Sequence, residues 1–395
     1  MNRFIYLFGR ICAVVNKPLL ILFTERFVDL SSANVLSELF VSTILISTLV
    51  NFDSHKNFYS LYFNQDFVSN DIADLTDSFS LYISCLIIQL AIAAAGIFVL
   101  LIILGQPISI AILGSFYLLS ERVFDELQRF SIFDSSLTKL GFFYSLRLLV
   151  QVAILSFSSL FASISLYAIA IAVAISNMSI LLGLPVVLFA SFSVPSTSSV
   201  INTMRSNIDY WLLSVSGLLA QQGDKILVLL VDPQILASYY LMSSILSLIV
   251  NAVDFFVLVP FRSKLVNKSI LSVKAIISTR TLKLSLILSS LLSLIICIIF
   301  SFVTSMPFYY SFLLPVLLIQ LSSSLSLIIR EYNYWNIASF QLLKDEWLYV
   351  TSVFICMLFV KLVNIPLVAI YLLSLVQIIR VFVLYTSSNR CLIRS

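Results

Sequence analysis

From Ser78 to Ser120 the chain carries no charged side chain, and its one strong turn signal in that stretch is Gly105-Gln106-Pro107. A membrane-crossing helix needs about 20 mostly apolar residues. This single run is therefore long enough to cross a bilayer, turn and cross back. Hydrocarbon offers no partner to a backbone N–H or C=O, so such a segment must satisfy its own hydrogen bonds as a helix. The same ruler places spans near 4–24, 35–52, 79–104, 106–124, 140–161 and 164–191, then near 208–231, 236–261, 281–304, 307–330, 347–363 and 365–386. The fold class expected is an all-α integral membrane protein with about twelve transmembrane helices. Arg10 and Lys17 interrupt the first apolar run and no small-residue cleavage site follows, so a cleavable signal peptide is not expected.

Composition excludes the main alternatives. The 395 residues are 60% hydrophobic and 11% charged, with a mean hydropathy of +1.07, whereas soluble domains carry about 45–50% apolar and about 25% charged residues. A net charge of +4 gives no reason to expect nucleic acid. The five cysteines (Cys12, Cys85, Cys297, Cys356 and Cys391) form no CxxC pair, and His55 is the one histidine. No metal site, disulfide framework or histidine-based nucleophile relay is expected from them. No Walker loop or GxGxxG run is present, so no cofactor or ATP hydrolysis is expected and any energy input must come from elsewhere, such as proton or sodium coupling.

Loop charge sets an expected orientation. Short connectors at Gly105–Gln106, Ser305–Met306 and Asn364 lack lysine and arginine, and the opposite side carries only Arg26, with Lys361 at a span end. The other set is basic: Arg122, Arg129 and Lys139, then Arg262, Lys264, Lys268, Lys274 and Arg280, then Arg390 and Arg394. The positive-inside rule puts that set, and both termini, in the cytoplasm. The acidic loop 53–78 (Asp53, Asp66, Asp71, Asp74 and Asp77 against Lys56) and the Lys344-Asp345-Glu346 run ahead of span eleven are expected to be solvated.

Twelve spans invite a division into two sixes. Asn16-Lys17-Pro18-Leu19-Leu20-Ile21-Leu22 aligns with Gly223-Asp224-Lys225-Ile226-Leu227-Val228-Leu229, and both run into an acidic turn, at Glu25 and Asp232. Leu30-Ser31-Ser32 then matches Leu236-Ala237-Ser238, and Ser37 matches Ser243. The organisation expected is a six-helix bundle over 1–192, a cytoplasmic linker 193–207, a second bundle over 208–386 and a cytoplasmic tail 387–395.

A charge at the middle of a span costs about 2.5–3.5 kcal/mol on insertion scales, so each one needs a reason. Arg10 and Lys17 fall on one face of span one, about 10 Å apart. Arg147 lies in span five, and Gln221, Asp224 and Lys225 lie in span seven at the depth of Lys17 in the first half. Substrate-path candidates are therefore Arg10, Lys17, Arg147, Gln221 and Lys225; ion-coupling candidates are Asp224, Glu38 and Asp254. Glu38 and Asp254 also fit side chains reaching for the interface, and a structural Lys17–Asp224 salt bridge is an open alternative. Cationic side chains suit an anionic cargo, arginine binding phosphate oxygens through its planar fork.

The stretch Gln221-Gln222-Gly223-Asp224-Lys225-Ile226-Leu227 through Leu236-Ala237-Ser238-Tyr239-Tyr240-Leu241, with Asp53-Ser54-His55-Lys56-Asn57-Phe58-Tyr59 after span two, resembles the polysaccharide flippases. These are the O-antigen exporters of the multidrug/oligosaccharidyl-lipid/polysaccharide superfamily. The resemblance implies two six-helix bundles of the multidrug-exporter type. The implied activity is flipping of undecaprenyl-pyrophosphate-linked oligosaccharide across a bacterial inner membrane, with an O-antigen polymerase and a chain-length regulator as candidate partners. It also implies that Arg10 and Lys17 face the lumen. An O-antigen polymerase or ligase of similar span count, and a multidrug extruder of the same fold, are the rival readings.

Overall fold

The computed structural model describes residues 2–51, 72–133, 137–161, 165–178, 195–258, 261, 273–304, 307, 309–336, 339–363 and 365–394. All regular structure among them is helical. Helices α1 (Asn2–Phe27), α2 (Leu30–Val50), α3 (Ile72–Ile103), α4 (Ile108–Phe133), α5 (Leu137–Phe161), α6 (Leu166–Met178) and α7 (Thr197–Ser206) lead to α8 (Ile208–Val231). A 3-10 turn at Pro233–Ile235 opens α9 (Leu236–Leu246) and α10 (Leu248–Val253), which runs on as a π-helical turn over Asp254–Leu258. Then follow α11 (Val273–Ile277), α12 (Arg280–Val303), α13 (Leu313–Asn336), α14 (Ser339–Val363) and α15 (Pro366–Arg394).

The chain forms two compact units, Met1–Trp211 and Leu212–Ser395. In the first, α1 packs on α5, α3 on α2 and α4, and α4 on α6. In the second, α15 packs on α13 and α14, and α12 lies against α9 and α10. Of the linker expected at 193–207, residues Thr197–Ser206 are helix α7, capped by the Ser196 hydroxyl and packed on α3 in the first unit. Of the tail expected at 387–395, residues up to Arg394 continue helix α15.

Local sequence explains the turns. Gly105 adopts φ +83°, a left-handed conformation open to glycine. The Gln106 N–H reaches back to the Leu101 carbonyl at 3.0 Å, so the α3 terminus closes as a Schellman cap. Asp29 accepts from the Ser32 N–H at 2.6 Å and starts α2; Asp232 accepts from the Gln234 N–H at 3.2 Å and starts the turn into α9. Both expected hairpins form, although in the first the capping acid is Asp29 rather than Glu25.

Six helices among the described residues are long and apolar enough to cross a membrane: Leu30–Val50, Ser80–Ile103, Pro233–Leu258, Arg280–Phe302, Tyr310–Asn333 and Pro366–Ser388. Outward side chains on α12, including Ile287, Leu288, Leu291, Leu292, Ile295 and Phe302, are more than half exposed. An apolar face of that extent is unstable in water and natural against lipid acyl chains. The protein is thus a multi-pass helical membrane protein.

Two charge clusters expected in loops lie inside helices instead. Helix α4 continues to Phe133, well past the expected end near 124, and Arg122 on it is only 5% exposed, paired with Glu126 at 3.2 Å. Helix α14 starts at Ser339, so of the Lys344-Asp345-Glu346 run only Lys344 is exposed, and Glu346 is 0% exposed. The reason is charge pairing: a carboxylate that meets a guanidinium, one turn away on α4 for Glu126 and on a neighbouring helix for Glu346, no longer needs water. The acidic loop 53–78 lies outside the described residues up to Asp71; from Ile72 its sequence belongs to α3.

Candidate functional site

Helix α4 carries Tyr117, Glu121 and Phe124 on one stripe, since residues three and four apart share a helix face. Glu121 is the centre of a buried polar cluster in the first unit. The Tyr117 hydroxyl donates to it at 2.6 Å, Arg147 from α5 forms an ion pair with it, and Lys17 from α1 approaches it at 3.8 Å. Aromatic faces complete the cation sites. Arg147 lies over the Phe124 ring at 4.6 Å and Lys17 over the Phe40 ring at 5.5 Å. Lys17 and Arg147, expected from sequence to face a polar path, thus share one carboxylate.

The second unit repeats this chemistry with different helices. Glu346 on α14 pairs with Arg380 of α15 at 2.8 Å, accepts from the Ser216 hydroxyl of α8, and meets Arg330 of α13 at 3.7 Å. Arg380 lies over the Tyr349 ring at 4.2 Å and also donates to Ser216 at 3.0 Å. The same division of labour holds in both clusters. One arginine is sealed in against the carboxylate, with side-chain exposure of 8% for Arg147 and 2% for Arg380. A second cation stands farther off and more open, 22% for Lys17 and 25% for Arg330.

Arg330 reaches its place because α8 has no side chain at Gly217. Its Nη2 donates to the Leu213 carbonyl at 2.6 Å, and a β-carbon on Gly217 would lie 2.6 Å from its Nη1. Gly217→Ala adds helix propensity worth about 0.8–1.0 kcal/mol but displaces a charged hydrogen bond worth about 1.5–3 kcal/mol. A net loss of about 1 kcal/mol is expected in chemical unfolding of the purified protein. A gain would show that Arg330 gives way freely.

Asp224 is 0% exposed on α8. Its Oδ2 accepts from the Tyr239 hydroxyl at 3.0 Å and the Ser243 hydroxyl at 2.6 Å, both on α9, while Oδ1 has no hydrogen-bond partner among the described residues. Lys225 next to it points elsewhere, donating to Gln222 at 2.7 Å and lying over Tyr240 at 4.9 Å. Gln221 is exposed. Glu38 is buried and accepts from the Gln106 side chain at 2.7 Å, tying α2 to the α3–α4 turn. Asp254 is half-buried and opens the π-helical turn, a local widening that often accompanies functional positions. Arg10 belongs to α1, but its side chain lies outside the described residues. The sequence reading missed the two acceptors, Glu121 and Glu346, and the second unit's cations, Arg330 and Arg380.

No protein-family model matches the chain, and no curated protein matches it.

Proposed function

We propose that this chain is a transporter, a flippase that carries undecaprenyl-pyrophosphate-linked O-antigen or related polysaccharide repeat units across a bacterial inner membrane. The observation that carries the proposal is the pair of carboxylate-centred clusters, one per unit, each presenting a partly exposed cation, Lys17 or Arg330, beside a sealed ion pair. Lys17, 3.8 Å from its carboxylate and 22% exposed, can turn to a phosphate oxygen, and Arg330 presents a guanidinium that is 25% exposed. About twelve spans in two six-helix bundles, with both termini in the cytoplasm, fit the basic-loop asymmetry. Transport then proceeds by alternating access. Arg10, Arg147, Gln221 and Lys225 are the further substrate-path candidates, and Asp224, Glu38 and Asp254 are the candidates for proton or sodium coupling.

The test is Lys17→Met combined with Arg330→Met in cells that display the glycan. Both sealed pairs keep their arginine, so the protein is expected to stay in the membrane. Surface glycan should fall at least about ten-fold while lipid-linked units accumulate on the cytoplasmic leaflet, a loss that corresponds to about 1.4 kcal/mol of binding. Retained export with altered chain length would instead assign the chain to a polymerase, and retained glycan with lost drug resistance to a multidrug extruder. Asp224→Asn keeps the shape of the side chain and removes its charge. Export is expected to drop and to lose its dependence on the ion gradient; unchanged export in vesicles would remove Asp224 from coupling.

A further inference from the structure

Helices α1 and α5 run parallel and approach closely where Gly9 faces Gly141, because neither residue has a side chain to hold the backbones apart. Farther along the same pair lies a gap. The gap is a groove of about 330 Å³ lined by Asn16, Leu20, Phe23 and Arg26 of α1 and by Gln151 and Ser156 of α5, among others. Most of its wall is aliphatic or aromatic, but two primary amides stand in it. Asn16 is 2% and Gln151 1% exposed. Asn16 Oδ1, Gln151 Oε1 and Gln151 Nε2 have no hydrogen-bond partner among the described residues.

Three buried polar atoms without a described partner, on side chains that line one space, constrain what fills it. An acyl chain can neither donate nor accept, so a lipid-filled groove would leave all three at their full desolvation cost. Water does both, needs two to four polar neighbours, and occupies about 30 Å³ a molecule, so the groove has room for roughly ten. Arg26 and Ser156, both exposed, keep its far end polar. Arg26 lies ten residues along α1 from Asn16, about 15 Å at 1.5 Å per residue. At the near end, Asn16 precedes Lys17, and Gln151 sits one turn beyond Arg147.

We infer that the α1–α5 groove is an aqueous crevice that brings water and small hydrophilic solutes from the Arg26 end of α1 to the Asn16 and Gln151 amides, one turn short of the Glu121 cluster. It makes the Asn16 and Gln151 amides wet positions within the first unit, whatever the cargo.

Single cysteines in the full-length protein, reconstituted in phosphatidylcholine liposomes, test this. Ser156→Cys and Leu148→Cys line the groove, whereas Leu149 and Phe157, each 66% exposed, do not line it and serve as Leu149→Cys and Phe157→Cys controls. The probe is a charged, membrane-impermeant methanethiosulfonate, which reacts with the thiolate that forms in water and hardly at all in hydrocarbon. Both groove positions should label at least about ten-fold faster than both controls, with the wild type as blank for its own cysteines. Gln151→Leu should then slow labelling at Leu148→Cys while sparing Ser156→Cys. Labelling at control rates, or reaction with a membrane-permeant maleimide alone, would mean that lipid fills the groove and would overturn the inference.

Discussion

Replacing Glu346 with leucine is expected to destabilise the second unit by about 3–5 kcal/mol, because it strands a guanidinium rather than merely deleting a contact. Arg380 is 3% exposed and takes its described ion pair from Glu346, with Ser216 as a further acceptor and the Tyr349 ring beneath. Without the carboxylate its charge is left buried with no described ion-pair partner. The same change removes the acceptor shared by Ser216 of α8 and Arg330 of α13, so three helices lose their common anchor on α14. Unfolding of the detergent-solubilised protein should show a midpoint drop for Glu346→Leu. The double change Glu346→Leu with Arg380→Met should recover most of it, since replacing a buried pair as a whole by apolar groups is often near neutral. If the double variant is no better than the single, the pair is not the source of the loss. The matching change in the first unit, Glu121→Leu, is expected to cost less. It strands Arg147, but Lys17 is already 22% exposed and has somewhere to go.

What hydropathy reveals about this chain is which segments are helices, and the structure keeps the expected limits closely at α8 (Ile208–Val231), α12 (Arg280–Val303) and the Gly105 turn. Burial of Asp224 was legible for the same reason: a carboxylate in mid-span has to be explained. Its partners were not. Tyr239 and Ser243 sit on α9, and nothing local to Asp224 says that α9 will lie against it. The repeat suggested one role for Lys17 and Asp224, yet Lys17 crosses to α4 while Asp224 is held by hydroxyls of the next helix. Ser37, aligned with Ser243, bonds back to the Ala33 carbonyl of its own helix. Glu121 and Glu346 were hidden by neighbours, since each stands beside a basic or acidic residue at the edge of an apolar run and looks like loop charge. A usable signal was present in the pairing of Arg122 with Glu126 one turn apart, which marks a helix continuing through the charged stretch.

The largest effect in the first unit should come from the smallest change, Gly9→Ala. A β-carbon there would overlap the Cα, carbonyl carbon and oxygen of Gly141, and a backbone has no rotamer to turn aside. Close approach of two glycine-bearing helices is a packing device suited to membranes, where dispersion contact rather than apolar transfer holds helices together. Overpacking usually costs about 1–3 kcal/mol, and relief by side-chain movement keeps it there. Gly9→Ala lacks that relief and is expected at or above the upper end. Gly114 provides the contrast inside the same unit. A β-carbon on it would meet only the side-chain tips of Leu101 and Ile97, which can shift, so Gly114→Ala should cost distinctly less. Thermal unfolding of the two variants side by side separates backbone contact from ordinary crowding. Equal stabilities would place a gap between α1 and α5 at Gly9. A selective collapse of Gly9→Ala would fix the close contact there, at one end of the helix pair whose other end lines the groove with Asn16 and Gln151.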